Sequence, residues 1–205
     1  KNTVIFAGGS TILAVLFDSL TGYAFARLDF KGKDLLFMLV LLTMMVPFQV
    51  MMIPLFLESN LLGLLDTYGG LILPKATAAF GIFMMRSYFA ALPKDLEEAA
   101  RVDGMSEFGI FAKIMFPLVI PGVLTLAIFH LMQNWNDLLY PLMMTSSTRM
   151  RTLSAGLALF VGEHATTYYG PQLAGALLSV LPLLVIYIFF QKYFIASVAT
   201  SGMKD

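Results

Sequence analysis

Long runs without a charged residue limit the fold of this chain more than any other feature. Residues 35–57 and 114–136 contain no Asp, Glu, Lys or Arg, and residues 3–26 contain only Asp18. A helix needs about 20 mostly apolar residues to cross the ~30 Å hydrocarbon layer of a bilayer. Because each of these runs is that long, the sequence predicts a protein that spans a membrane with helices.

The composition argues against a water-soluble domain. A soluble domain carries roughly 25% charged residues, whereas this chain of 205 residues is 59% hydrophobic and 13% charged. It has no cysteine and only two histidines, which excludes disulfides and thiolate metal sites and disfavours a histidine-rich one. Its zero net charge gives no electrostatic footprint for nucleic acid. We therefore expect a lipid environment, no nucleic-acid partner, no metal and no cofactor bound by this chain.

Five segments are predicted to cross the bilayer within one domain that covers residues 1–205. Continuous apolar runs favour helices over the alternating strands of a membrane barrel, so the expected fold is an all-α bundle. The third segment is the weakest, because Lys75 and Arg86 interrupt it. The predicted spans are residues 3–26, 35–57, 71–92, 114–136 and 173–190.

The positive charges predict an orientation. If residues 94–117 are cytoplasmic, alternation across five spans places nine of the 13 Lys and Arg residues inside and four outside. This distribution agrees with the excess of positive charge on the cytoplasmic side of membrane proteins. The amino end and the stretch from Asn136 to Gly170 are then expected on the outer side.

The charged segment 94–117 is predicted to begin with a short helix. Glu97 and Glu98 suit the positive end of a helix dipole. Ala99 and Ala100 favour a helix, and their small side chains allow another protein to approach closely. The sequence therefore predicts a short helix on the cytoplasmic face with a surface suited to a partner protein.

A turn and a second helix are expected to follow. Gly104 has the conformational freedom to end the first helix, with Asp103 beside it, and Ser106 can cap the next one. Pro117 marks the entry into the fourth span. Taken alone, this spacing leaves an ordinary charged loop as an alternative to a docking element.

Several motifs together resemble one family. The pattern E-A-A-x-x-D-G at residues 98–104, with Pro117 downstream, resembles the EAA loop of ABC-importer permeases. The segment A-F-A-R-L-D-F-K-G-K at residues 24–33 and L-G-L-L-D-T-Y at residues 62–68 resemble the sugar-type branch. That branch of the MetI-like superfamily includes maltose and glycerol-phosphate permeases. Met105 departs from the pattern, since the family usually has Ala there.

This resemblance implies a MetI-like helix bundle with a sixth, amino-terminal span that this sequence lacks. It also implies the permease subunit of an ATP-driven importer in a bacterial or archaeal cytoplasmic membrane, translocating a carbohydrate or related polyol. The implied partners are a second permease, two ATPase subunits and a solute-binding protein outside. Which sugar is carried is not readable from the residues. The implied ATPase-coupling residues are Glu98, Ala99, Ala100, Asp103, Gly104 and Pro117.

The resemblance also implies that ATP and magnesium bind to the partner ATPase and not to this chain. The residues agree, because a phosphate-binding loop requires G-x-x-x-x-G-K-[ST]. The nearest match, Gly32 and Lys33, has Asp34 in the Ser/Thr position and lacks the first glycine. We therefore expect a subunit that is not an enzyme.

Polar residues inside spans are costly and are candidates for function. Asp18 is either part of a proton relay or buried against another helix and paired with a hydroxyl. Gln49 either lines a water-facing segment or joins helices. A polar stripe near the outer end of the fourth span either faces sugar hydroxyls or is the solvated end of the helix. The members of that stripe are His130, Gln133, Asn134 and Asp137.

Two other functions compete with the importer. A proton-coupled secondary transporter would use Asp18 and would give no role to residues 98–104. A membrane scaffold without transport activity would leave both the intramembrane polar residues and the EAA pattern unexplained.

Overall fold

Helices account for all the regular structure that the computed structural model describes, which covers residues 1–159 and 169–201. The expected all-α fold is confirmed for these residues. In chain order the helices are α1 Asn2–Arg27, α2 Lys33–Thr43, α3 Phe48–Leu61, α4 Tyr68–Ile72, a 3₁₀ turn Leu73–Lys75, α5 Ala79–Ala90, α6 Asp95–Val102, α7 Glu107–Ile110, a π-helical turn Phe111–Met115, α8 Phe116–Leu118, α9 Ile120–Asn136, α10 Leu139–Met144, α11 Leu153–Ala158 and α12 Tyr169–Ser201.

One predicted span is a single straight element, while three others are broken. The span at 3–26 corresponds to α1, which is long and apolar enough to cross a membrane by itself. The span at 35–57 divides into α2 and α3, bent by 100°. The span at 71–92 corresponds to α4–α5, bent by 45°, and the span at 114–136 bends by 80° before α9. The described residues thus hold one membrane-crossing helix, or up to four if each bent pair is one span.

Proline accounts for two of the three breaks. Pro47 lies between α2 and α3 in an extended conformation, with ψ 137°. Pro121 lies in the first turn of α9. Proline has no N–H to donate and clashes with the preceding turn, so a helix ends before it or bends. The predicted span at 173–190 lies within α12, and the count of five spans stays a prediction.

The bundle is organised around α1, which packs against α5 and α9. Close approach depends on Gly22, one of the small residues whose spacing suits helix crossings in lipid. A Cβ atom at Gly22 would lie 2.7 Å from the Met85 Cβ and 2.8 Å from the Arg86 nitrogen. The backbones of α1 and α5 therefore meet where a methyl group does not fit.

Two apolar clusters fill the bundle, one near each end of α1. The first surrounds Tyr23 and Phe89 and extends onto the helices that follow α5. The second joins Phe6 to Tyr140, whose rings stack with centroids 5.9 Å apart. By contrast, α2 buries none of its residues, so its apolar surface is left for lipid or for another subunit.

We expect Gly22→Ala to destabilise the protein by about 1 to 3 kcal/mol, the usual cost of overpacking a tight contact. The Met85 and Arg86 atoms that it would strike include main chain, which cannot rotate away. Gly8→Ala is the matched control in the same helix, since nothing lies within 4 Å of its added Cβ. Thermal unfolding in detergent measures both. Equal melting temperatures for the two variants would contradict the close crossing.

Candidate functional site

The coupling helix, defined as α6, has the predicted form. Asp95, Glu97 and Glu98 occupy its first turn, where carboxylates favour the helix dipole. Gly104 ends it in the left-handed region, with φ 78°. The Ser106 hydroxyl then accepts a hydrogen bond from the Gly109 N–H at 3.2 Å and caps α7. The sequence prediction of a helix, a glycine turn and a second helix is confirmed.

One face of the coupling helix is exposed and the other lies on the bundle. Glu98, Ala99 and Asp103 are exposed together with Gly104. Ala100 is buried in the apolar cluster around Tyr23 and Phe89. Pro117 is exposed in the first turn of α8. The ATPase-facing role of these residues stays a prediction.

A buried ion pair attaches the coupling helix to α1. The Arg27 Nε lies 3.3 Å from the Glu97 Oε1, and the two side chains are 3% and 4% exposed. The same guanidinium donates to the Phe89 carbonyl at 3.0 and 2.6 Å and to the Leu92 carbonyl. Arg27 therefore joins the last turn of α1 to the end of α5 and to α6.

Arg101 connects the Glu97 carboxylate to Glu107, the first residue of α7. Its Nη2 lies 3.7 Å from the Glu97 Oε2. It also holds Glu107 in a two-point contact, with nitrogen–oxygen distances of 2.6 and 3.1 Å. This contact lowers the pKa of Glu107 and raises that of Arg101. The two helices of the coupling turn are thereby clamped around Gly104.

Burial raises the pKa of Glu97 above its usual value of 4.5, even though Arg27 and Arg101 act in the opposite direction. Taking a carboxylate out of water is expensive, and an ion pair repays that cost only with excellent geometry. The Glu97 Oε1 makes no hydrogen bond with suitable geometry among the described residues. The ionised side chain is therefore held in place at a cost in stability.

A second polar cluster lies in the interior, around Asp18. Its carboxylate is fully buried and accepts hydrogen bonds from the Thr77 hydroxyl at 2.6 Å and the Ala78 N–H at 3.0 Å. The interpretation of Asp18 as a buried residue paired with a hydroxyl is confirmed. The sequence did not predict its third partner, the His130 Nε2 at 3.1 Å.

Gly81 makes room for this cluster. A Cβ atom at Gly81 would lie 1.8 Å from the Asp18 Oδ2, so any larger residue would displace the carboxylate. Asp18 and Gly81 therefore form a matched pair between α1 and α5.

The residues of the predicted polar stripe, at and just beyond the carboxyl end of α9, differ in their exposure. His130 and Asn134 are buried, 5% exposed each, while Gln133 is exposed. Positions 133 and 134 differ by about 100° around a helix, which explains why they face different surroundings. Gln49 is also exposed, in the first turn of α3. A substrate-facing role for these residues stays a prediction.

Asp137 pairs with Lys75, which the sequence analysis named only as an interruption of the third span. Its Oδ2 lies 2.9 Å from the Lys75 Nζ, and its Oδ1 accepts from the Tyr140 N–H at 3.2 Å. Lys75 also lies over the rings of Phe48 and Tyr140, 5.1 and 4.8 Å from their centroids. The charge that weakened the predicted third span is thus stabilised by a carboxylate and two aromatic faces.

Sequence reasoning also missed the roles of Arg27 and Glu97. Arg27 belongs to the A-F-A-R segment, and Glu97 directly precedes the E-A-A pattern. The available signal was an arginine at the end of a span with no neighbouring acid in α1. Only the folded chain shows that its acid comes from the coupling helix.

A cavity of about 1210 Å³ opens at the other end of α1. Its walls include Asn2, whose amide donates to the carbonyls of Arg149 and Arg151 at 2.7 and 2.9 Å. The Tyr68 hydroxyl donates to the same side chain at 2.8 Å. Residues 1–159 and 169–201 contain no group of three or more His, Cys, Asp or Glu side chains placed to hold a metal ion.

Comparison with known proteins agrees with this geometry. Residues 18–200 match the family of binding-protein-dependent transport system inner membrane components. The chain is 42% identical to the arabinooligosaccharides transport system permease protein AraQ of Halalkalibacterium halodurans, covering 94% of this chain and 69% of that protein. It is 34% identical to the trehalose/maltose transport system permease protein MalG of Thermococcus litoralis, with coverages of 100% and 74%.

A solved structure has the same fold. It is a bacterial ABC transporter involved in the import of the acidic polysaccharide alginate. The match has a TM-score of 0.82 at 28% identity, and it covers 94% of this chain and 73% of that one.

The raised pKa of Glu97 predicts a pH-dependent effect of Glu97→Gln. Above pH 4.5 the unfolded chain loses this proton first, so folding stability falls as pH rises toward the folded pKa and stays lower at neutral pH. Glutamine is neutral throughout, and Arg27 keeps its carbonyl acceptors. We expect the melting temperature of the variant to be close to that of the wild type near pH 4 and higher near pH 7. Each kcal/mol gained in the free energy of unfolding corresponds to a rise of about 2 to 4 °C.

Thermal unfolding of the detergent-solubilised protein between those pH values is the measurement. Comparing both proteins at each pH cancels the contributions of the other carboxyl groups. Glu98→Gln is the matched control, because it changes an exposed carboxylate at the next position. A wild-type protein that is more stable than Glu97→Gln at neutral pH would contradict the prediction.

Proposed function

This chain belongs to the family of binding-protein-dependent transport system inner membrane components, and we propose that it forms part of the membrane pathway of an ATP-driven carbohydrate importer. It is a membrane-embedded transport permease subunit and not an enzyme. The observation that carries the proposal is the exposed surface of the coupling helix, which ends at the left-handed Gly104. That surface lies in a chain whose family match extends over residues 18–200.

The proposed substrate class is a saccharide. The relatives are named for arabino-oligosaccharides and for trehalose and maltose, and the solved structure belongs to an importer of alginate. These substrates share many hydroxyl groups and differ in charge and linkage. A carbohydrate or related polyol is therefore the class that we propose.

The family implies further subunits, and we propose a specific assembly. A second permease would cover part of the apolar surface that α2 leaves exposed. Two ATPase subunits would bind ATP and magnesium on the cytoplasmic side, one of them against the coupling helix. A periplasmic or lipid-anchored solute-binding protein would deliver the saccharide from outside. The assembly would lie in the cytoplasmic membrane of a bacterium or archaeon.

The proposed mechanism is a shift between two packed arrangements. Closure of the ATPase dimer on ATP would displace the coupling helix, and the spans would move from an inward-facing to an outward-facing arrangement. Ala99 and Gly104 suit this contact because small side chains let the ATPase surface approach the helix backbone. The clamp between Arg101 and Glu107 would keep the turn rigid while force is applied.

A proton-coupled transporter acting through Asp18 is the alternative, and the family match favours ATP as the energy source. The hydrogen bonds from Thr77 and Ala78 also explain Asp18 as a structural residue. Asparagine preserves an acceptor for both donors while removing the titratable group. This difference separates the two mechanisms.

The main test is uptake by the complete transporter in vesicles, with labelled arabinotriose, trehalose and maltose as probes. We expect uptake that requires ATP, resists an uncoupler and survives Asp18→Asn within a few-fold. Asp18→Leu is the contrasting variant, because it leaves the donors of Thr77 and Ala78 unsatisfied, at about 1 to 3 kcal/mol per buried group. Uptake that collapses in Asp18→Asn and with an uncoupler would overturn the importer in favour of the proton-driven alternative.

Docking of the ATPase predicts a second result. Glu98 is exposed here, and we expect it to meet a basic group of the ATPase. Breaking a buried charge pair from one side costs on the order of 3 to 5 kcal/mol, so Glu98→Lys should strongly reduce co-purification of the ATPase. Glu58→Lys is the control. Glu58 is also exposed, but it directly follows the second predicted span, at the end expected on the outer side of the membrane. Equal retention of the ATPase by both variants would remove Glu98 from the docking surface.

A further inference from the structure

We propose that Arg27 is the positioning residue that transmits movement of the coupling helix to α1, through its buried contact with Glu97. This inference rests on the proposed function, because it assigns a role within ATP-driven transport. It also gives a function to the A-F-A-R segment, which the family resemblance identified without explaining.

The first argument is how little else attaches the coupling helix to the membrane bundle. Only Glu97 and Ala100 of α6 are buried. Ala100 contributes one small apolar side chain to the cluster around Tyr23 and Phe89. Glu97 therefore supplies the directional contact, and the atom it faces is the Arg27 Nε at 3.3 Å.

The second argument is that Arg27 is itself held by main chain. Its guanidinium donates to the carbonyls of Phe89 and Leu92, at the end of α5. Arginine has a planar, rigid set of donors, so several contacts fix its orientation at once. A displacement of Glu97 is therefore passed to the end of α1 and to the end of α5 together.

The third argument is the continuation of the path along α1. This unbroken helix carries Asp18 on a buried face, where it binds Thr77 and Ala78 before α5 and meets His130 on α9. Movement at Arg27 thus reaches the polar cluster through one unbroken helix, whereas the other membrane-crossing candidates among the described residues are bent pairs.

Stability alone does not account for the pair. Desolvation outweighs the attraction of both arginines at Glu97, so its pKa is raised. Burial of the carboxylate is therefore costly even with two arginines beside it. The charge is thus suited to fixing a position rather than to stabilising the folded state.

The first experiment measures relative movement without any substrate. The chain has no cysteine. Once any cysteines of the partner subunits are replaced, spin labels at Phe17→Cys on α1 and Val102→Cys on α6 report only on those exposed positions. Distances are recorded in the complete transporter, without nucleotide and with ADP trapped by vanadate after ATP hydrolysis. We expect one unchanged distance in the otherwise wild-type chain, because α1 and α6 move together.

Glu97→Gln in the labelled chain should shift or broaden that distance in the vanadate-trapped state. Arg86→Ala is the matched control. Arg86 is an arginine at the same end, lies 3.4 Å from the Phe25 carbonyl and stacks on Phe37, with no contact to the coupling helix among the interactions described. The distance between the two labels in Arg86→Ala should equal that of the wild type. A Glu97→Gln distance that also stays unchanged would overturn the proposal.

The second experiment measures labelled arabinotriose, trehalose or maltose imported per ATP hydrolysed. Allosteric coupling of ordinary strength corresponds to about 5-fold or more, so we expect Glu97→Gln and Arg27→Ala each to lower this ratio by at least that factor. The double variant should be no worse than Arg27→Ala, because residues that act through one contact are not additive. Arg86→Ala should keep the wild-type ratio.

The remaining outcomes are distinct. Fewer assembled complexes with an unchanged ratio would mean a purely structural pair, and multiplying effects in the double variant would mean separate roles. Either result overturns the proposal. If the wild-type complex imports none of the three saccharides, the proposed substrate class fails instead, and the spin-label distances still decide whether Arg27 links α1 to the coupling helix.

Discussion

The buried carboxylate of Asp18 is the interaction on which the bundle depends. Inside a membrane protein a polar group cannot turn to water, so each must find a protein partner. The break before α5 leaves the Ala78 N–H without a partner in its own helix, and Asp18 accepts from it at 3.0 Å. The same carboxylate meets Thr77 and His130, so one side chain joins α1, α5 and α9. Gly81 provides the space in which this occurs.

The broken helices make sense in relation to that core. Helix breaks at membrane depth expose backbone groups, which are tolerated only where protein or a water-filled cavity surrounds them. At the break at residues 76–78, Asp18 accepts a hydrogen bond from the free Ala78 N–H. The turn before it brings Lys75 into contact with Asp137 and two aromatic rings. At this break, side chains from neighbouring elements therefore complete the interruption of the helix. Helix α1, which supplies the central partner, is the continuous one.

At the carboxyl end of α1, the ion pair to the coupling helix fixes a position at a cost in stability. Arg27 and Glu97 are both removed from water, and the raised pKa of Glu97 marks a net cost. Buried ion pairs commonly behave this way, because desolvation exceeds the attraction unless every lone pair is satisfied. What the pair provides is a fixed angle between α1 and the coupling helix. In the proposed mechanism, that rigidity would matter more than the last increment of stability.

The sequence by itself determined the class of protein, because uncharged runs such as residues 35–57 have few alternatives to a membrane. It also determined the coupling turn, since the acids before Ala99 and the glycine at 104 act through local rules of helix capping. Tertiary structure decided which polar groups meet. Asp18 and His130 are 112 positions apart, and no local pattern relates Arg27 to Glu97 or Lys75 to Asp137. Helix capping and turns depend on residues that are neighbours in the sequence. The partner of a buried charge depends instead on how distant helices cross, and packing at positions such as Gly22 sets that crossing.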